Sequence, residues 1–597
     1  MFLFSGSSGH VDFSPQQRYR PQHIMTAKST ERNPRWSAPI SGAEAMIRSL
    51  ELAGVENIFA YPGGASMELH QSLLKSPIRV VLPRNEQGGA FAAAGYARAT
   101  GKVGVCMATS GPGATNLVTS ITDAYMDSVP LLAITGQVPQ KFIGKNAFQE
   151  TDIIGITRPV VKHSYLVLNA DDIPGVVAEA FYIANSGRPG PVVIDLPKDV
   201  QQAMCKTTYP DKVELRAYKL PSPATAADVE SVRAAIAKSQ RPCLYVGGGV
   251  IMGNAADELR QFAESYNIPV TTSLMGVGAF PETHPLALKW LGMHGSYYGN
   301  YAANESDLLL CIGARFDDRV TGNVKTFAEH ATIIHIDIDP SEINKNKRAD
   351  IGIICDCRDI LGKLLVDPIY KDYSSWHEQI RTWKKNFPLR YRPSDKIQPQ
   401  YVVEMLYAKT DGKAIVVTGV GQHQMFSAQF YKFERPRQLL TSGGLGTMGF
   451  GIGSAMGAQI AFPQQQVLMI DGDGSFQMNI QELGTIHCEN FPIKMIILNN
   501  QHLGMVAQWE DRFYERRRGN TELQSAHADR PYPNFVKIAE GYMIAGREVW
   551  EKEELSAAID EMLATDGPFV LDVHIHYEDH VLPMIPAGGR HTDIMVD

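Results

Sequence analysis

The chain has 597 residues, 44% of them hydrophobic and 20% charged, the composition of a globular protein of roughly three or four domains. A formal net charge of −8 argues against a nucleic-acid partner. No apolar run reaches the roughly 18 residues of a membrane span, and seven scattered cysteines (106, 205, 243, 311, 355, 357 and 488) argue against a disulfide scaffold and fit a reducing compartment.

Residues 1–36 are rich in Ser, Gln, Pro and Arg, with only Asp12 and Glu31 as acids. This composition weakly resembles a transit peptide. A disordered leader and an upstream start before Met25 are the other readings, and the segment is taken as a disordered leader. Ordered sequence is expected from Ser41, which with Glu44 has capping-box spacing ahead of a predicted helix, Ala43 to Ala53. Strand-like runs then alternate with helical ones: Val55 to Tyr61, Ile78 to Pro83, Val103 to Thr109, Val129 to Thr135 and Val192 to Leu196. A proline-rich stretch from Cys205 to Thr225 reads as a linker. A second block opens with a strand, Pro242 to Val246, that runs into Gly247-Gly248-Gly249, and continues with Leu308 to Ile312 and Thr332 to Ile336. Residues 367–399 read as another linker. The pattern predicts an α/β protein with doubly wound parallel sheets and helices on both faces.

The third block, from Tyr401 to about His576, carries the most informative pair. Asp473 lies in Gly472-Asp473-Gly474-Ser475, and Asn500 ends Ile496-Ile497-Leu498-Asn499-Asn500, 27 positions later. Each follows a short apolar run that reads as a buried parallel strand. Two such strands joined by a helix put both polar tips at one sheet edge, where α/β ligand sites form. A carboxylate and an amide oxygen are hard ligands suited to Mg2+, which also takes phosphate oxygens, and Gly472 and Gly474 let backbone approach a phosphate. Alone, Gly-Asp-Gly is ordinary turn chemistry. With the paired strands, the spacing resembles the diphosphate motif of thiamine diphosphate (ThDP) enzymes.

That chemistry requires one carboxyl group at the N1′ atom of the cofactor's aminopyrimidine, in a dry pocket that strengthens its hydrogen bond. Glu86 is the candidate. It follows a predicted strand and precedes Gln87-Gly88-Gly89-Ala90, whose small residues allow close packing. A glutamate at a helix start is otherwise simply solvated and favoured by the dipole.

The runs Arg84 to Gly88, Gly95 to Gly101 and Ser110 to Asn116 resemble the pyrimidine-binding domain of ThDP enzymes. From about residue 40 onward the chain is similar to the acetohydroxyacid synthase (acetolactate synthase) family, catalytic subunit. The runs that carry this likeness include Thr135 to Pro139, Ala147 to Glu150, Leu196 to Val200, Gly313 to Gly322, Val420 to Met425, Ser442 to Gly449, Gly504 to Trp509 and Val581 to Pro586. The resemblance implies three domains: pyrimidine-binding at 37–205, central FAD-binding at 222–366 and diphosphate-binding at 396–576, with a C-terminal tail at 577–597.

The resemblance also implies roles. ThDP would be held by Glu86, Gln422, His423, Gly446, Met448, Gly474, Ser475 and Asn500, with Met448 supporting the bent cofactor and the Gly446 carbonyl accepting from the pyrimidine amino group. Mg2+ would be held by Asp473, Asn500 and the backbone carbonyl of His502. FAD, mainly structural in this family, would touch Arg188, Gly248, Thr272, Leu274, His294, Arg315, Asp337 and Asp356. The implied reaction decarboxylates pyruvate and joins the two-carbon unit to a second pyruvate or to 2-oxobutyrate, the first common step of valine, leucine and isoleucine biosynthesis. Arg319 suits the carboxylate of the second acid, because a guanidinium grips carboxylate bidentately. Trp509 would pack on the extra methyl of 2-oxobutyrate, and Gly64, Phe148, Gln149 and Lys198 would border the substrate channel.

In this family Glu86 and the diphosphate site serve one cofactor from different subunits, which implies a homodimer or homotetramer, commonly with a small regulatory subunit. Asn85 and Phe91 stand where many members carry histidine, Ala94 replaces a common acid, and Gly453 replaces a common proline. The alternatives are a flavin-dependent pyruvate oxidase and a catalytically retired scaffold homologue. The expected location is the cytoplasm of a bacterium, or a plastid or mitochondrion if the leader is a transit peptide.

Overall fold

The computed structural model describes residues 36–524 and 532–597. The expectations for residues 1–35 lie outside the described residues. Three six-stranded sheets, parallel throughout, carry the described chain. In spatial order the first is Arg79–Val81, Asn57–Ala60, Gly104–Ala108, Leu131–Gln137, Pro191–Pro197 and His163–Leu166. The third is Leu439–Leu440, Ile415–Thr418, Val467–Gly472, Lys494–Asn499, Phe569–His574 and Ala545–Val549. With strands numbered by chain position within each sheet, both read 2-1-3-4-6-5. The first and third domains thus share one topology, although their sequences show no clear self-similarity.

The central sheet is Ala287–Trp290, Val270–Thr272, Pro242–Val246, Leu308–Ile312, Thr332–Asp337 and Ile351–Ile354, an order of 3-2-1-4-5-6. That is the order of dinucleotide-binding sheets, whose ligands sit where the winding reverses, outside the carboxyl ends of the strands.

Apolar runs explain why the inner strands form where they do. Every residue of Pro242–Val246, Leu308–Ile312 and Val467–Gly472 is buried, as both faces of a helix-covered parallel sheet require. The first helix, Gly42–Leu52, starts where Ser41 Oγ accepts from Glu44 N at 3.2 Å.

The first and third domains are fastened by two helices rich in small residues, Glu86–Thr100 and Phe450–Ala461. A Cβ at Gly457 would lie 2.0 Å from Ala92 O, and one at Gly95 would lie 2.3 Å from Ser454 O, so only glycine permits this approach. Phe91 meets Phe450 edge to face at 5.5 Å in the same seam.

Two expectations change. Residues 367–399 are not a bare linker: Ser374–Asn386 is a helix that buries Trp376 and Ile380 in the central core. Trp36, assigned to the leader, is buried in the first domain's core. The C-terminal tail is held to the rest of the chain, with Val581 N donating to Gln508 Oε1 at 2.8 Å and Ile585 N to Met293 O at 2.8 Å. All seven cysteines are free thiols. Among the described residues no helix is long and apolar enough to cross a membrane.

Candidate functional site

Val467–Gly472 and Lys494–Asn499 are neighbours in register, with Gly472 beside Leu498. Asp473 and Asn500 therefore leave the same carboxyl edge. They line one cleft together with Gln422, His423, Met448, Gly474, Ser475 and His502. Gln422 and His423 open the helix Gln422–Phe430 that follows the strand Ile415–Thr418. Asn500 Nδ2 donates to Gln422 Oε1 at 3.4 Å, while Asn500 Oδ1 accepts from His502 N at 3.0 Å. Gly446 stands just outside the lining, facing Val420 at 3.9 Å from its would-be Cβ.

The donors are suited to a hard cation carrying a phosphorylated ligand. Asp473 is 1% exposed, and its Oδ2 accepts from Tyr532 Oη at 2.9 Å. Burial pushes its carboxyl up to about 6, the hydrogen bond from Tyr532 opposing the shift. A divalent cation would reverse that balance. The remaining donors are neutral oxygens, and among the described residues no cluster of three or more His, Cys, Asp or Glu side chains could hold a metal alone. One carboxylate with neutral oxygens leaves Mg2+ coordination positions for phosphate. Gly474 keeps the floor open, since a Cβ there would lie 3.1 Å from both Leu503 and Leu523 and 3.6 Å from Met448 Cε.

A second constellation forms at the edge of the first sheet. Glu86 opens the helix Glu86–Thr100, and its Oε2 accepts from Asn116 Nδ2 at 2.9 Å. A Cβ on Gly113 would lie 3.2 Å from Glu86 Oε1 and 2.8 Å from Thr109. Thr109 also crowds Gly63, and Lys198 Nζ donates to Gly64 O at 3.1 Å. Gln149, at a φ of 58°, packs its backbone on Gly111, and Phe148 beside it is 89% exposed. None of Glu86, Gly64, Phe148, Gln149 or Lys198 lines the cleft around Asp473.

Of the expected flavin contacts, Gly248, Thr272, Leu274, Arg315 and Asp337 stand at or just beyond the carboxyl ends of the central sheet's strands. Gly247 and Gly313 follow the two strands that flank the winding reversal, and a Cβ at Gly247 would lie 2.0 Å from Gly313 O. Gly248 starts the helix Gly248–Met252, and Thr272 ends its strand just before Leu274. Arg315 and Asp337 follow or end theirs, and Asp356 caps the helix Cys357–Leu364 by accepting from Arg358 N at 2.8 Å. Burial pushes the Asp337 carboxyl up to about 6 and the His294 imidazole down to about 4. Arg188 reaches across from the first domain to Asp339 at 3.1 Å and Glu342 at 2.6 Å. Close glycine backbone beside the winding reversal is what a dinucleotide site in a sheet of this order requires.

The expected carboxylate grip is separate from the cleft lining. The Arg319 side chain is 66% exposed and lies 3.4 Å from Asp318. Its backbone O accepts from Met293 N at 2.7 Å, and Met293 O in turn binds Ile585 N. Trp509 lies on the helix Gly504–Phe513, which forms one lip of the cleft, with its ring 5.1 Å from Phe513.

Residues 40–156 match the family described as "Thiamine pyrophosphate enzyme, N-terminal TPP binding domain", residues 229–364 its "central domain", and residues 419–573 its "C-terminal TPP binding domain". The chain is 52% identical over 570 residues to acetolactate synthase 1, chloroplastic, of Oryza sativa subsp. japonica, covering 94% of this chain and 88% of the relative. It is 49% identical over 622 aligned positions to acetolactate synthase 2, chloroplastic, of Zea mays, covering 99% and 97%. The chain belongs to the acetolactate synthase family of thiamine pyrophosphate enzymes. The Arabidopsis thaliana acetolactate synthase, chloroplastic, is 50% identical over 595 residues, covering 98% of this chain and 88% of that one.

These relatives overturn one expectation. The chain was placed in a bacterial cytoplasm, whereas all three are named as chloroplastic plant enzymes.

Four residues of the site carry no role in the sequence reading. Asn116 ends the quoted Ser110 to Asn116 run, and its amide could have been noted as a partner for Glu86. Gln508 holds Gln422 Nε2 at 3.0 Å, and it precedes Trp509 in another quoted run. Leu503 lines the cleft beside Gly504. Tyr532 lies beyond every motif, and nothing in the sequence points to its contact with Asp473.

Proposed function

We propose that this chain is the catalytic subunit of an acetolactate synthase. It would remove CO2 from pyruvate and join the remaining two-carbon unit to the keto carbon of a second pyruvate or of 2-oxobutyrate, giving 2-acetolactate or 2-aceto-2-hydroxybutyrate. The observation that carries the reading is the cleft in which Asp473 and Asn500 leave adjacent parallel strands, within residues matched to a thiamine-pyrophosphate-binding domain.

When bound, thiamine diphosphate supplies a carbon acid that adds to a keto group and stabilises the negative charge left by loss of CO2. Gln422, His423, Gly446, Met448, Gly474, Ser475 and Asn500 would hold it. Asp473, Asn500 and the His502 carbonyl would hold Mg2+ against its diphosphate. Glu86 would hold a proton at the aminopyrimidine N1′ from one carboxyl oxygen, with Asn116 fixing the other. FAD would be held by Arg188, Gly248, Thr272, Leu274, His294, Arg315, Asp337 and Asp356, with no redox duty in carboligation.

Arg319 would hold the carboxylate of the second 2-oxo acid, and Trp509 would select its side chain. Gly64, Phe148, Gln149 and Lys198 would border the channel. Glu86 is not among the residues that line the cleft, and the family pairs this carboxylate with the diphosphate site of another subunit, so the working unit would be a homodimer or a dimer of dimers. Each Glu86 would then complete the cleft of a second copy, and Phe148 and Arg319 would lose their exposure there. The named compartment of the relatives supports a plastid location.

The test is incubation with pyruvate, ThDP and Mg2+ under nitrogen, with and without 2-oxobutyrate. Acetolactate without net flavin reduction is the expected outcome. Acetate with reduced flavin would replace this reading by an oxidase, and no product would replace it by a retired homologue.

A further inference from the structure

Gly446 and Met448 lie in a segment without helix or strand between Leu439–Leu440 and Phe450–Ala461, so something other than secondary structure must hold them. The holding groups come from the first domain. Asp123, fully buried on the helix Val118–Met126, accepts from Ser442 Oγ and, at 3.1 Å, from Thr447 Oγ1. Asp127, which caps the end of that helix, accepts from Gly443 N at 3.0 Å and Gly444 N at 2.7 Å. Arg98 Nη2 lies 2.7 Å from Asp123 and 2.9 Å from Asp127, with its guanidinium 5.0 Å over the Phe450 ring.

Two carboxylates at the carboxyl end of a helix oppose its dipole. Arg98 offsets one of the two charges, and four donors from Ser442 to Thr447 share the other. Gly443 and Gly444 lie close against their neighbours. A Cβ at Gly443 would meet Met275 Sδ at 2.3 Å, and one at Gly444 would meet Asp127 Oδ1 at 2.9 Å. On the far side of Met448, Gly449 N donates to Ser475 Oγ at 3.1 Å and Gly449 O accepts from Asn479 Nδ2 at 2.9 Å. Met448 is thus strung between an anchor on the first domain and an anchor in the cleft.

We propose that Asp123 and Asp127, charge-balanced by Arg98, are positioning residues that set the Gly446–Met448 segment for ThDP. The inference rests on the assignment of the cleft to ThDP. Positioning of this kind matters because a displacement of about 1 Å at a reacting group costs roughly a hundredfold in rate. It also gives the first domain a role in its own chain's cleft, separate from the role of Glu86.

The test compares Thr447→Val, which keeps the shape but removes the donor to Asp123, with Thr447→Ser, which keeps a hydroxyl. ThDP affinity of the full chain is measured by equilibrium dialysis with Mg2+, alongside the melting temperature. Thr447→Val should weaken ThDP by about tenfold, the scale of one hydrogen bond to a charged group, with the melting temperature close to wild type and Thr447→Ser within about twofold of wild type. Unchanged affinity in Thr447→Val, or equal loss in both variants, would overturn the proposal while leaving the cofactor assignment intact. Failure of the wild-type chain to bind ThDP would overturn the cofactor assignment and this inference with it.

Discussion

Asn116 Nδ2 and Glu86 Oε2 are 2.9 Å apart, so one oxygen of the Glu86 carboxylate is held while the other faces Gly113. A glutamine at position 86 can present its amide oxygen to Asn116 and keep that bond. Glu86→Gln should therefore fold normally and lose the proton-holding function alone. Turnover should fall by about a hundredfold or more, the usual scale for a positioned acid–base group. ThDP affinity should change little, because the proposed diphosphate anchor rests on Asp473 and Asn500. Near-normal turnover in this variant would reject the role of Glu86.

Tyr532 Oη donates to Asp473 Oδ2 at 2.9 Å and sets the orientation of that carboxylate. Partners of this kind are worth about ten- to a hundredfold in metal affinity. Tyr532→Phe should raise the Mg2+ concentration needed for half activity by about tenfold, with full activity recovered at saturating metal. An unchanged Mg2+ titration would place the metal away from Asp473.

Trp509 sits half-buried on the cleft's lip. One methylene in an apolar pocket is worth roughly 1–3 kcal/mol. Trp509→Leu should reduce the preference for 2-oxobutyrate over pyruvate by about tenfold in a competition assay, with less effect on the rate with pyruvate alone. A product ratio equal to wild type would remove Trp509 from substrate selection.

Asp195 is buried among Thr135 Oγ1 at 2.7 Å and Gln137 Nε2 at 2.9 Å, and burial pushes its carboxyl up to about 7. An unfolded aspartate titrates near about 3.9. Between those values the folded chain keeps a proton that the unfolded chain has lost, so stability falls as pH rises through this window and levels off above it. Asp195→Asn cannot titrate. Its melting temperature relative to wild type should climb by about 2 °C or more between pH 5 and pH 8, on top of any constant packing cost. A difference that stays flat with pH would show that Asp195 is ionised throughout.

The inner strands were legible because burial on both faces writes a continuous apolar run, as in Pro242–Val246 and Leu308–Ile312. Apart from Arg79–Val81, expected from Ile78 to Pro83, the edge strands were not. Leu439–Leu440 has two residues, and Ala545–Val549 buries only Val549, so neither carries a periodic signal. The helix Ser374–Asn386 was hidden by its Lys, Arg and Trp content, since it buries Trp376 and Ile380 fully and Trp383 only in part. At the site, Asp473 and Asn500 were legible because strand spacing alone brings them to one edge. Tyr532 joins them through a tertiary contact with no local pattern.

In the proposed homodimer, each working site joins Glu86 of one copy to the Asp473 cleft of the other. Two variants, Glu86→Gln and Asp473→Asn, should each be inactive alone. Coexpressed with different tags and purified as a mixed population, half of their dimers would hold one copy of each, and each such dimer would contain one site with both residues intact. The mixture should recover about a quarter of wild-type specific activity, as two-fold symmetry requires. Recovery no greater than the sum of the two separate variants would contradict the claim and return both residues to a single chain.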